Sequence, residues 1–117
     1  MGKWAVAFAD DFLEEVAGHP KEVQDKIAAL ALVLEQFGPQ LGRPRVDTLK
    51  GSRHANMKEL RFEVDAGVWR VAFAFDPERK AILLAAGNKQ GVGEARFYRE
   101  LIKLADARFD AHLATLK

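Results

Sequence analysis

The chain has 117 residues, 49% of them hydrophobic and 30% charged, and it contains no cysteine. That length serves one domain over residues 1–117, and the apolar fraction excludes a disordered polymer, a collagen or a low-complexity tract. Without cysteine there is no disulfide scaffold, thiolate zinc site or cysteine nucleophile, which fits a reducing cytoplasm, and the net charge of +1 names no partner by itself.

The N-terminus, Met1-Gly2-Lys3-Trp4, enters an alternating stretch rather than a signal-peptide core. Trp4, Val6 and Phe8 share one face and alanines the other, which predicts a strand. Asp11 and Glu14 have capping-box spacing for a short helix carrying Phe12, Leu13 and Val16. Gly18-His19-Pro20 breaks it, with Pro20 suited to the first turn of the next helix. That second helix bears the apolar stripe Val23, Ile27, Leu30, Leu34 and Phe37 and ends at Gly38-Pro39.

Residues 38–56 read as an irregular connection with a short strand near Thr48-Leu49-Lys50. Lys58–Val64 then alternates, with Leu60, Phe62 and Val64 opposite Glu59, Arg61 and Glu63. Asp65-Ala66-Gly67 is turn chemistry, and the next strand returns with Trp69, Val71, Phe73 and Phe75 on one face and Arg70, Ala72 and Ala74 on the other. Asp76–Arg79 turns the chain again into a buried strand, Ala81–Ala86. That is the longest apolar run, too short to cross a bilayer, so no membrane association is expected. After a glycine-rich loop, Tyr98, Ile102, Ala105, Phe109 and Leu113 mark a closing helix, its stripe widened by Leu101 and Leu104. The order predicts an α+β fold: an N-terminal strand, two helices, an antiparallel or mixed meander with the helices segregated from it, and a C-terminal helix.

Charge is uneven along this order. Residues 1–40 carry three basic and seven acidic side chains, residues 41–117 fifteen and ten. Arg43, Arg45, Lys50, Arg53 and Lys58 crowd the connection against one acid, Asp47. Such a basic face is the footprint of a phosphate-backbone partner, although a solvated loop gives the same composition. Arg61 and Arg70 fall on the same sheet face once the hairpin is closed. Two guanidiniums side by side need a bridging anion, either a bound phosphate or the carboxylates of Glu59 and Glu63. Lys89 sits in the glycine-flanked loop after the last strand. His54 reads as a proton shuttle or a solvated loop residue, His19 as a cap or surface residue, and His112 as exposed. No metal-ligand spacing, P-loop or serine-nucleophile elbow is present, so no metal or cofactor is expected.

Taken together, Leu49-Lys50-Gly51, Lys58-Glu59-Leu60-Arg61-Phe62, Trp69-Arg70-Val71, Leu83-Leu84-Ala85-Ala86-Gly87-Asn88-Lys89 and Arg96-Phe97-Tyr98-Arg99-Glu100 form a specific series. It resembles toxins of the RelE/ParE superfamily, nearest the HigB-type, phage-derived branch of type II toxin–antitoxin systems. The resemblance implies a RelE-like, microbial-ribonuclease-type fold and a cytoplasmic toxin that cleaves messenger RNA on the ribosome. It also implies a cognate HigA-like helix-turn-helix antitoxin, paired with the toxin in a heterotetramer. By motif, Arg61, Arg70 and Lys89 match the family's basic positions. Tyr98 matches its closing-helix aromatic, with Phe97 or Arg96 as alternative occupants. Lys50, Arg53, His54, Lys58 and Arg96 are expected to hold the RNA. The rival readings are a ParE-like inhibitor of DNA gyrase and a non-catalytic relic that only binds RNA or antitoxin.

Overall fold

A computed structural model describes residues 3–64 and 67–117. Along the chain run β1 (Ala5–Phe8), α1 (Asp10–Ala17), α2 (Lys21–Phe37), β2 (Val46–Thr48), β3 (Lys58–Val64), β4 (Gly67–Phe75), β5 (Lys80–Asn88) and α3 (Glu94–Ala114). The five strands form one sheet in the order β1-β5-β4-β3-β2. β1 lies parallel to β5, and the other neighbours are antiparallel. The expected α+β order is present, with a mixed sheet.

The helices are not segregated. Leu60, Phe62, Trp69, Val71, Phe73 and Leu83 pack with Phe12, Val23, Ile27, Leu30 and Leu34 on one side of the sheet. Ala72, Ala74, Ile82, Leu84 and Ala85 pack with Phe97, Leu101, Ala105 and Phe109 on the other. The cause lies in β4 and β5. Their second face is apolar as well, and a central strand without polar alternation must be covered on both sides.

Local details also depart from the sequence pattern. The capping box at Asp11 does not form: α1 begins at Asp10, two residues earlier than that cap implies, behind Ala9, with no side-chain cap bond and two acids, Asp10 and Asp11, in its first turn. Their charge favours the helix dipole instead. Pro20 precedes α2 rather than entering it. Phe37, at the end of the α2 stripe, is 51% exposed because the chain turns away at Gly38. The edge strand sits at Val46–Thr48, earlier than Thr48-Leu49-Lys50, in register with Leu60–Lys58 of β3. On α3 the buried line is Phe97, Leu101, Ala105 and Phe109, and Leu104 is exposed.

The residues expected at the turn, Asp65 and Ala66, lie outside the described residues, but the strands they join pair in the predicted register. Arg61 stands directly opposite Arg70, and Glu59 opposite Ala72. Between β4 and β5 the register shifts near Ala72, so that Ala72 pairs Ala85 while Phe73 pairs Leu83. Leu84 and Ala85 therefore both pack toward α3, and the alternation beyond them is inverted. Gly87 comes to lie beneath Phe97, where a Cβ would stand 2.8 Å from the ring. Lys89, continuing the ladder through its amide to Val68 O at 2.8 Å, reaches the face that carries Arg61 and Arg70. One inserted residue aims that lysine.

Candidate nucleic-acid interface

The α3 face of the sheet is charged along two neighbouring rows. Asp47 on β2 stands opposite Glu59 on β3 in one, and Arg61 on β3 opposite Arg70 on β4 in the next. Directly opposed carboxylates repel, as do opposed guanidiniums, so these rows are stable only if each charge has another partner. The partners are present. Arg43 donates to Asp47 at 2.9 Å, and Arg61 Nη1 lies 4.0 Å from the same Oδ2. Arg70 Nε lies 3.7 Å from Glu59 Oε1.

Arg70 and Glu59 are buried, their side chains 6% and 8% exposed, and Tyr98 bridges them. Its hydroxyl donates to Glu59 Oε1 at 2.8 Å and accepts from Arg70 Nε at 3.2 Å. Arg70 Nη1 also donates to the Trp69 carbonyl at 2.9 Å. Burial, followed by the bond to Glu59, pushes the Tyr98 phenol above its ordinary value, against the pull of Arg70. It is therefore a neutral phenol resting on a carboxylate.

Above the buried Arg70 lies an open groove of about 400 Å³ lined by Arg43, Asp47, Lys50, Glu59, Arg61, Lys89, Glu94 and the half-buried Tyr98. Lys89 Nζ lies 5.4 Å from the centroid of the Tyr98 ring and 3.1 Å from Glu94 Oε1. Arg43 bonding and the Thr48 amide hold Asp47 below the usual carboxylate value. Positive and negative groups alternate around the opening, with a phenol and a carboxylate at its floor.

Of the residues singled out from sequence, the groove gathers Arg61, Lys89, Tyr98 and Lys50. Arg70 lies beneath it, reaching the site through Tyr98 and Glu59. Between the aromatic candidates, Tyr98 faces the groove while Phe97 is buried in the α3 core, and Arg96 pairs with Glu100 along the exposed side of α3. Lys58 is on the opposite face of β3, beside Leu41 and Val46. Arg53 and His54 face α3: Arg53 and His54 Nε2 both meet the Asp110 carboxylate, the latter at 2.7 Å. His112, expected to be exposed, is instead 2.7 Å from the buried Asp76 carboxylate, which caps the β4–β5 turn.

The sequence pattern alone marks Glu59 as a ladder partner and Arg43 only as part of the basic connection, and it gives no sign that Asp47 or Glu94 belong to the site. The signal available for Glu59 is its position two residues before Arg61, which puts both on one strand face.

This arrangement of a mixed five-stranded sheet between helices is a RelE-type fold. The E. coli toxin RelE, solved as an arginine-to-alanine double mutant in the free state, superposes with a TM-score of 0.59 at 12% identity, covering 86% of this chain and 95% of that one. Residues 14–110 match the family described as Phage derived protein Gp49-like (DUF891), and the chain belongs to that family, one of RelE/HigB-type toxins. It is 51% identical over 98 residues to the putative toxin HigB2 of Mycobacterium tuberculosis and 49% identical over 84 residues to the putative toxin HigB3 of the same organism. These alignments cover 83% and 71% of this chain; the chain spans about half of HigB2, 48%, and 70% of HigB3.

Proposed function

We propose that this protein is the toxin of a toxin–antitoxin pair and an endoribonuclease that cleaves messenger RNA on the ribosome. It acts in the cytoplasm without a metal and is held inactive by a HigA-like helix-turn-helix antitoxin. The observation that carries this reading is the groove lined by Arg61, Lys50, Lys89 and Tyr98, the last of which donates its hydroxyl proton to the buried Glu59.

RNA can be cut by in-line attack of its own 2′-oxygen on the adjacent phosphorus, which makes a 2′,3′-cyclic phosphate and releases the 5′-oxygen. The reaction needs a proton acceptor, charge stabilisation on the phosphoryl oxygens and a proton donor. Tyr98 oxygen takes the 2′ proton as its own proton passes to Glu59, along a bond already 2.8 Å long. Arg61 and Lys50 hold the phosphoryl oxygens, and the Lys89 ammonium gives its proton to the leaving 5′-oxygen. Arg70 pairs with Glu59 and keeps the phenol oriented. A weakly basic phenol–carboxylate pair makes a slow catalyst, so positioning by a large assembly contributes much of the rate.

The test is induced expression with transcript mapping by primer extension. The parent is expected to arrest growth and leave new 5′ ends within coding sequences, while Arg61→Ala and Tyr98→Phe at equal abundance do neither. Arrest with intact transcripts and broken DNA would replace this reading with a gyrase poison; no arrest at all would leave a binding relic.

A further inference from the structure

The groove is basic by residue count, yet Arg43, Arg61 and Lys89 each already face a carboxylate. Arg43 and Arg61 both face Asp47, at 2.9 and 4.0 Å, and Lys89 faces Glu94 at 3.1 Å. Both acids line the groove beside the cations they neutralise. Neither is needed to satisfy a buried group. At the side chain Asp47 is 28% and Glu94 73% exposed, against 75% for Arg43, 36% for Arg61 and 21% for Lys89, so each pair has at least one member open to water. They differ in this from Glu59, which is buried against Arg70.

An RNA phosphate entering the groove must take the place of these carboxylates, because the same guanidinium and ammonium protons cannot serve both at full strength. Opening an exposed pair is cheap, but each displaced carboxylate then remains beside an incoming phosphate and repels it. The effect is a uniform penalty on loosely held polyanions. It is overcome only when a phosphate is delivered in place at high effective concentration.

We propose that Asp47 and Glu94 are specificity-determining counter-anions: in the free protein they occupy the phosphate positions on Arg43, Arg61 and Lys89, and so restrict the groove to RNA already held by a larger assembly. This rests on the ribonuclease reading for the identity of the ligand. Its electrostatics are testable without cleavage.

The experiment is binding of the full chain to a short, uncleavable 2′-O-methyl oligoribonucleotide across a salt series. Asp47→Asn keeps the Oδ1 acceptor for the Thr48 amide, and Glu94→Gln is an isostere on an exposed helix position, so both variants keep the fold. Each is expected to bind roughly fivefold more tightly at low salt. The log–log salt dependence should steepen by about 0.7 for each further phosphate that the freed cations hold. Asp25→Asn, which frees Lys21 in a similar exposed pair on α2, is the control and should change neither. The proposal is overturned if the groove variants bind no more tightly than the parent, or if the control tightens as much. If the groove variants do bind more tightly while the parent never cleaves messenger RNA, the ribonuclease reading falls and the counter-anions stand.

Discussion

Arg61 and Arg70 are cross-strand partners on the same sheet face, yet one is 36% exposed at the rim of the groove and the other 6% exposed beneath it. The difference is made by α3. Its first turns lay Tyr98 over Arg70 and leave Arg61 uncovered beside β2. Two residues that a strand pattern treats as equivalent therefore have different surroundings, one open to the groove and the other buried against Glu59 and Tyr98.

Alanine at the two positions should separate these roles. Arg70→Ala leaves the Glu59 carboxylate buried without its cation and should cost about 3 kcal/mol of folding stability, read from urea unfolding. Arg61→Ala removes a half-exposed group and should stay within about 0.5 kcal/mol of the parent while losing affinity for RNA. Equal stability of the two variants would show that the Arg70–Glu59 pair is not held as described. Loss of toxicity by Arg70→Ala alone says little, since abundance falls with it.

Tyr98 is the only tyrosine in the chain, so tyrosinate absorbance reports this one phenol. Its midpoint should lie above the ordinary 10.0, first because it is buried and then because Glu59 accepts its proton. Glu59→Gln should lower the midpoint, since it removes the negative neighbour. The raised value means that the folded state keeps the proton longer than the unfolded chain does. The stabilisation is complete below pH 10.0 and is lost as pH rises through the folded midpoint, giving an alkaline fall in stability. Tyr98→Phe should remove the phenol's share of that fall and reduce cleavage roughly a hundredfold, the lower end of the range for general acid–base catalysis. A midpoint at or below 10.0 in the parent would contradict the bonded, buried phenol.

The strand faces and helix stripes were legible in the sequence because their periods are local. The pairing of Arg61 with Arg70 followed from turn chemistry at residues whose own conformation was not needed, since register fixes which side chains share a face. Lys89 could be placed near them only by motif. Its facing depends on the register shift at Ala72, and an alternation count through Ala81–Ala86 without that shift puts it on the other side. The acids were the least legible part. Whether Glu59, Asp47 or Glu94 neutralises a neighbour or serves the site depends on what α3 and β2 bring across from distant sequence. The same long-range packing decides the histidines: His54 and His112 find Asp110 and Asp76 from 56 and 36 residues away.

Arg53 and His54 belong to the basic connection, but α3 claims them. Asp106, 5% exposed, accepts from Ser52 Oγ at 2.5 Å and from the Arg53 amide at 3.2 Å, while Asp110 meets both the Arg53 guanidinium and His54. Residues 51–54 are thereby fastened to the middle of α3, directly after Lys50 enters the groove. Arg53→Ala should therefore leave the salt dependence of RNA binding unchanged, whereas Lys50→Ala should reduce its slope by about 0.7. Asp106→Ala strands a hydroxyl and an amide and should cost about 2 kcal/mol, with faster amide exchange confined first to residues 51–57. If Arg53→Ala flattens the salt dependence as much as Lys50→Ala does, Arg53 leaves its aspartates to bind RNA, and the loop is a contact surface rather than a fastening.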